Sequence, residues 1–98
     1  MITSKQRAFL RGKANDLDAI FQIGKDGVNE NMIAQLNDVL EARELIKIKV
    51  LETAMLTARE ASEIVCEATG AEPVQCIGSK FVIYRPNSEK PVIILPKA

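Results

Sequence analysis

The sequence has no histidine and only two cysteines among its 98 residues. Histidine is the commonest general base, and neither cysteine stands in a recognisable nucleophile motif, so we expect no enzymatic activity. Carboxylate pairs such as Asp16 with Asp18 occupy capping or surface positions and do not change this expectation. Cys66 and Cys76 form no C-x-x-C pair. We therefore expect no metal, no cofactor and two reduced, dispensable thiols, with Cys76 buried on a strand.

Long apolar runs and aromatic residues are also scarce. No run approaches the roughly 20 apolar residues that cross a bilayer, and the N-terminus shows no signal region. We expect a cytoplasmic, monomeric protein with no membrane partner, formed as one domain over residues 1–98. Tryptophan is absent, and one tyrosine and three phenylalanines are present. This composition argues against a sheet on which RNA bases stack on aromatic rings.

The formal net charge is zero, with 13 basic and 13 acidic residues, but the charges are segregated. Residues 1–28 carry five basic and three acidic residues, and residues 73–98 carry four and one. Residues 29–72 carry four basic and nine acidic residues. An acidic middle segment is common on solvated helices, whereas the basic ends gain meaning only if the fold brings them together.

Capping signals and apolar periodicity predict the element order α-β-α-β-α-β-β. Thr3 and Thr57 each open a capping box, and Asn29 is a good helix N-cap. The segment "ELIKIKV" alternates as a half-buried strand does. The predicted elements are a helix to about Ala14, a strand Ala19–Ile23, a helix after Asn29, a strand Glu44–Leu51, a helix from Thr57 to Gly70, and strands Val74–Ile77 and Lys80–Arg85 joined at Gly78-Ser79.

Three of the predicted strands carry polar residues on one side. These residues are Gln22, Lys47 with Lys49, and Gln75. Helices packed on one face would leave these side chains on the other face. We therefore expect an α/β protein built as a two-layer α-β sandwich with a four-stranded mixed sheet. The third helix is expected to bury Ala61, Ile64, Val65 and Ala68, and the first to bury Phe9, Leu10 and Ala14.

The loop "IGKDGVNE" places two glycines three apart just before a helix. It is not a Walker A sequence, because Gly24-Lys25 is followed by an acid. A G-x-x-G loop at a helix N-terminus can admit a nucleotide backbone closely, as in KH domains. An ordinary strand–helix turn explains the same residues, so the loop by itself leaves both interpretations open.

Four separated segments resemble a known family over nearly the whole chain. They are "TSKQRAFLRGKA", "QIGKDGVNENMI", "VLEARELIKIKV" and "VQCIGSKFVIYRP". They resemble bacterial YhbY-type proteins, the single-domain form of the CRM (chloroplast RNA splicing and ribosome maturation) domain. The resemblance implies an RNA-binding domain whose fold is akin to the C-terminal domain of bacterial translation initiation factor three. It also implies association with ribosomal RNA in precursors of the large ribosomal subunit.

The resemblance places the RNA-contacting loop on Gly24, Lys25, Asp26 and Gly27. Asp26 departs from the family pattern by putting an acid where phosphate is expected, although it can hydrogen-bond within the turn. Supporting basic contacts are expected from Lys5, Arg7, Arg11, Lys13, Lys47 and Lys49. We expect one basic surface to be formed by Lys5, Arg7, Arg11, Lys25, Lys47 and Lys49.

Two alternatives stay open at this point. One is a general KH-like binder of single-stranded RNA. The other is a protein-interaction adapter that uses the acidic face of the second and third helices, with the glycine loop purely structural. Salt dependence separates RNA binding from a mainly apolar protein contact, because phosphate binding weakens steeply as salt rises.

Overall fold

Each of the three α-helices is preceded by a residue whose side chain caps it. In the computed structural model, which describes residues 2–97, the Thr3 hydroxyl accepts from Gln6 N at 3.1 Å while Gln6 Oε1 accepts from Thr3 N at 3.0 Å. Thr57 and Glu60 form the second capping box. The elements are α1 (Ser4–Ala14), β1 (Ala19–Ile23), α2 (Glu30–Arg43), β2 (Leu45–Val50), a 3₁₀ turn (Glu52–Ala54), α3 (Ala58–Thr69), β3 (Glu72–Ile77) and β4 (Lys80–Tyr84).

The four strands of the described chain form one mixed sheet in the order β1-β2-β4-β3. β1 and β2 run parallel and are joined through α2, whereas β4 is antiparallel to both of its neighbours. Gly78 has φ +58°, and Ser79 has a negative φ, as the type II′ hairpin predicted for Gly78-Ser79 requires. The α/β class, the element order and the mixed four-stranded sheet are thus confirmed.

The layer arrangement differs from the expected two-layer sandwich, because the sheet is covered on both faces. α2 and α3 cover one face, where Leu36, Leu40 and Val65 pack with Ile48 and Phe81. On the other face a second buried cluster joins α1 to the sheet and to the C-terminal segment. Its buried members are Leu10, Ala14, Leu45, Val74, Val82 and Tyr84, with Ile93 and Leu95 packed against them.

The composition of β4 explains this correction. Its residues Phe81, Val82, Ile83 and Tyr84 are all buried. A strand that is apolar on both sides needs cover on both faces. Of the polar strand residues that suggested an open face, Gln22 is exposed and Lys47, Lys49 and Gln75 are half-buried, so the cover on that face is partial.

Two predicted buried faces are wrong in detail. α3 buries Ala58, Ala61, Ser62, Val65 and Thr69. Ile64 is 43% exposed, and Ala68, also predicted to be buried, is exposed. These buried residues follow the i, i+3, i+4, i+7 spacing from the capped start, and Ile64 lies about 100° away from Val65 around the helix.

Phe9 and Cys76 were also predicted to be buried, and both are exposed. Phe9 is 38% exposed, and Cys76 is exposed rather than buried. Cys76 lies on β3, which is an edge strand of the sheet, and an edge strand receives less cover than the central strands. Leu10 and Ala14 are buried as expected.

The C-terminal segment, residues 86–97, is attached to the domain through the buried side chain of Glu44. The Glu44 carboxylate accepts hydrogen bonds from the backbone N–H groups of Asn87 at 2.7 Å, Val92 at 2.9 Å and Ile93 at 2.6 Å. Burial by itself raises the pKa of the Glu44 carboxyl, but these backbone donors lower it below its ordinary value. Glu44 also has φ +66°, a conformation that is strained for a side-chain-bearing residue.

We predict that Glu44→Gln lowers the free energy of unfolding by about 2 kcal/mol or more, because an amide nitrogen replaces a charged acceptor facing backbone N–H groups. Because the folded-state pKa of Glu44 is lowered, its contribution is present at neutral pH and is lost as the pH falls through that pKa. Urea unfolding from pH 7 into the acid range measures both effects. The variant should lose less stability on acidification than the wild type.

The matched control for this prediction is Glu89→Gln, which removes an equal charge from an exposed residue of the C-terminal segment. It should leave the unfolding curve nearly unchanged. Equal stabilities of the Glu44→Gln variant and this control would contradict a stabilising role for the Glu44 carboxylate.

Candidate nucleic-acid interface

The glycine loop forms a hydrogen-bonded turn between β1 and α2. Gly27 N donates to Gly24 O at 2.9 Å, and Lys25 and Asp26 are exposed at the tip. Asn29 then caps α2 by accepting from Met32 N at 2.9 Å. The turn therefore presents a lysine and backbone N–H groups at a helix N-terminus, a place that favours anions.

The two glycines serve different purposes in this turn. Gly27 has φ +64°, and a Cβ placed there would meet nothing within 4 Å. Gly24 has an ordinary φ, and its Cβ would lie 3.5 Å from Leu51 Cδ1 and 3.5 Å from Thr53 Oγ1. Gly27 is required by backbone conformation, whereas Gly24 packs beside the segment that follows β2.

Asp26 does not stabilise the turn as expected. Within residues 2–97 its carboxylate has no hydrogen-bond or ion-pair partner. Its charge therefore remains on the exposed tip, next to Lys25 in sequence. The acid reduces the positive potential of the turn, so the loop needs other basic groups nearby to attract a phosphate strongly.

The turn lies at the end of the sheet where β1, β2 and the β3–β4 hairpin meet. Leu51 N donates to Ile23 O at 2.8 Å, and Val50 N donates to Ser79 O at 2.7 Å. The N-terminus of α3 follows the same β2 loop. Three loops and two helix N-termini thus share this end of the domain.

The two β2 lysines that were predicted to bind RNA differ in whether their ammonium groups already have a partner in the protein. Lys47 Nζ donates to the carbonyl oxygen of Leu17 at 2.8 Å, which fixes the connection between α1 and β1. Lys49 is paired in the sheet with Gln22 on one side and with Lys80 on the other. Because alternate strand residues share a face, Lys47 and Lys49 lie on the α1 face of the sheet.

The four basic residues of α1 lie on two sides of its buried stripe. Arg7 Nε donates to Pro73 O at 3.0 Å at the edge strand, and Arg11 follows one turn later on the same side. Lys5 and Lys13 lie on the opposite side, given about 100° per residue. Lys13 Nζ is 5.6 Å from the centroid of the Phe9 ring, a cation–π distance.

The structure therefore places Arg7, Arg11, Lys47 and Lys49 on one face of the sheet, with Lys25 beyond its loop end. Lys5 and Lys13 point away from Arg7 and Arg11. The sequence prediction omitted Lys80, which lies directly opposite Lys49 in the β2–β4 pairing. Strand alternation gives the side of β4 on which Lys80 lies, but the sequence contains no signal for the β2–β4 register.

Arg85 is committed to the fold. Its guanidinium donates to Asn37 Oδ1 at 2.7 Å, to Thr69 O at 2.7 Å and to Asn37 O at 3.0 Å. Its Nη2 atom also lies 3.6 Å from Glu41 Oε1, at ion-pair distance. These contacts join α2 and α3 at the end of the sheet opposite the glycine turn.

Cys66 is not an activated nucleophile. Burial raises the pKa of the Cys66 thiol to about 11, so the reactive thiolate is scarce at neutral pH. Within residues 2–97 no cluster of three metal-ligating side chains occurs. The same residues contain no helix with the length and apolar character needed to cross a membrane.

These features define a small α/β domain with a glycine turn before a helix at one end of a mixed sheet. The chain belongs to the CRS1/YhbY (CRM) domain family, whose model matches residues 2–85. The family resemblance noted in the sequence is thereby confirmed.

Two curated relatives and one solved structure are similar to this chain. A Bacillus subtilis protein named "Probable RNA-binding protein YqeI" is 45% identical over 98% of this chain and 100% of its own length. A Haemophilus influenzae protein named "RNA-binding protein" is 35% identical over 98% of this chain and 96% of its own length. A hypothetical Staphylococcus aureus protein, described as "a putative RNA binding protein", has a solution structure similar to this one, with a TM-score of 0.77. Its sequence is 49% identical, and the match covers 98% of this chain and 100% of that chain.

We predict that Gly27→Ala lowers the free energy of unfolding by about 1–2 kcal/mol, because a Cβ disfavours a positive φ. Gly24→Ala should have little effect, since its Cβ would make ordinary van der Waals contacts. Gly27→Asn is the matched variant, because asparagine tolerates this backbone conformation better. Urea unfolding of the three variants tests the prediction, and equal losses for Gly24→Ala and Gly27→Ala would contradict it.

Proposed function

We propose that this protein binds RNA, with the Gly24–Gly27 turn contacting the RNA backbone. The observation that carries the proposal is the exposed Lys25 on a tight turn at a helix N-terminus, at the same end of the sheet as the paired Lys49 and Lys80. The names of the two relatives support the same function. Arg7, Arg11, Lys47 and Lys49 would extend the contact along the α1 face, while Lys5 and Lys13 would contribute from the far side of α1.

The chemistry of such a contact is electrostatic attraction combined with close backbone approach. Gly24 and Gly27 bring no side chains beyond the turn, so a phosphate can approach the N–H groups at the start of α2. Lys25 and Lys49 supply positive charge, which releases counterions from the RNA on binding. The zero net charge of the chain implies weaker non-specific affinity than a strongly basic protein shows.

We further propose that the RNA is ribosomal RNA within a precursor of the large ribosomal subunit, bound in the cytoplasm during ribosome assembly. This step rests on the family resemblance. Crosslinking the protein to RNA in cells and sequencing the attached fragments tests it. Fragments concentrated in large-subunit precursors would support the assignment, and fragments spread over messenger RNA would contradict it.

A protein-interaction adapter is the second candidate, and the surface of α3 favours it. Ile64 is 43% exposed, between acidic residues that include Glu60, Glu63 and Glu67. Ile64→Ser should abolish association with a protein partner and leave RNA affinity unchanged. Ribosome association that survives high salt and is lost in this variant would favour the adapter function.

We predict that Lys25→Glu weakens binding to ribosomal RNA by about tenfold or more at low salt, because a repulsive charge replaces an attractive one at the turn. Lys25→Ala should reduce the slope of log K against log salt by about 0.7–0.9, the contribution of one phosphate contact. Titrations of labelled RNA at several salt concentrations measure both quantities.

The matched control is Lys90→Glu, an equal change of charge at an exposed position of the C-terminal segment. It should alter binding much less, because this segment is attached at the end of the sheet opposite the glycine turn. If Lys25→Glu binds as tightly as the wild type at low salt, the turn is not the RNA contact.

A further inference from the structure

A row of four paired residues crosses the sheet next to the glycine turn, on the α1 face. The strand registers place Gln22 opposite Lys49, Lys49 opposite Lys80, and Lys80 opposite Ile77. The next row along the sheet contains Lys47, Val82 and Gln75. In the first row Gln22, Ile77 and Lys80 are exposed, and Lys49 is half-buried.

The centre of this row is a pair of like charges. Lys49 and Lys80 are directly opposite on neighbouring strands, an arrangement that is destabilising for like charges. Within residues 2–97 neither ammonium group has a carboxylate at ion-pair distance. A bound anion between the two side chains would relieve this repulsion, so the pair is complementary to a phosphate.

A groove begins beside this pair, at the C-terminal end of α1. It has a volume of about 150 Å³, and its floor and walls combine aliphatic, amide and ammonium groups. Val82 forms the buried floor, and Ile77 is 64% exposed at the rim. The lining residues are Asn15, Lys47, Gln75, Ile77, Lys80 and Val82.

The polar groups of the groove suit a base better than a phosphate. Within the described residues the side-chain amides of Asn15 and Gln75 make no hydrogen bonds to the protein. Each amide can both donate and accept, as the edges of nucleobases require. The C-terminal end of α1 also presents backbone carbonyls and a partial negative charge, which disfavours an anion at Asn15.

We propose that this groove receives one unpaired nucleobase of the bound RNA, whose adjacent phosphate lies between Lys49 and Lys80. This inference rests on the proposed RNA-binding function and adds Asn15, Gln75, Ile77 and Lys80 to its site. The base packs against Ile77 and Val82 and hydrogen-bonds to the two amides. Apolar side chains are suited to enclose a base that has left its stack.

The test compares three versions of one hairpin RNA: fully paired, with a single bulged nucleotide, and with an abasic site at the bulge. The wild-type protein should bind the bulged hairpin about tenfold more tightly than either other hairpin, the gain typical of one enclosed base. A fluorescent 2-aminopurine at the bulge should change its emission on binding. Equal affinity for all three hairpins would overturn the proposal.

Variants then separate the base contact from the phosphate contact. Gln75→Ala should abolish the preference for the bulged hairpin without changing the salt dependence. Lys80→Ala should reduce the slope of log K against log salt by about 0.7–0.9. Lys90→Ala, the matched control, should change neither quantity, and a thermal melt of each variant verifies the fold.

These outcomes are distinguishable from failure of the proposed function. If Lys25→Glu abolishes binding while Gln75→Ala keeps the full preference for the bulge, the RNA contact stands and the base groove is overturned. If the wild type binds none of the hairpins in a salt-dependent manner, both proposals fall.

Discussion

The burial of β4 on both faces is the constraint on which the rest of the structure depends. Phe81 and Ile83 join the cluster under α2 and α3, and Val82 and Tyr84 join the cluster under α1. Neither helical layer alone can remove this strand from water, so the chain needs elements before and after the sheet to cover the second face. α1 supplies one part of that cover and the C-terminal segment supplies the other, and the loop end of the sheet is left open.

The C-terminal segment is held by a charge rather than by regular secondary structure. A carboxylate inside a protein is tolerated only when its oxygens accept hydrogen bonds, and Glu44 obtains them from backbone N–H groups of that segment. The same contacts place Ile93 and Leu95 against the α1 cluster. The family match ends at residue 85, so Glu44 lies within the matched region and fastens a segment beyond it.

The basic residues differ in whether their side chains already have partners within the domain. The side chains of Arg7, Lys47 and Arg85 each donate a hydrogen bond to a backbone carbonyl oxygen. For Arg7, that carbonyl belongs to the edge strand β3. Lys25, Lys49 and Lys80 have no such partners within the described residues. Although the chain has zero net charge, these three lysines lie at the same end of the sheet, where they can attract a phosphate at physiological salt.

The sequence by itself determined the order of the elements and the starts of the three α-helices. Thr3, Asn29 and Thr57 are short-range signals, because a cap involves residues only three apart, and Gly78 sets the hairpin by its own φ. The alternation of "LIKIKV" likewise identified β2 and the common side of Lys47 and Lys49. The family membership was also legible in the sequence, since four motifs stand in order along the chain.

Only the tertiary structure decided which faces are covered and which charges meet. Helix periodicity did not reveal that Ile64 stays exposed, since burial depends on which side of α3 meets the sheet. Glu44 looked like the first residue of a strand, and its partners lie more than 40 positions away, a separation no local pattern encodes. Lys49 and Lys80 face each other because β2 and β4 are neighbours in the sheet although α3 and β3 separate them in sequence. At the glycine turn, the candidate site is formed by residues close in sequence, whose positions are fixed by backbone conformation. On the sheet, it is formed by residues distant in sequence, which the strand register brings together.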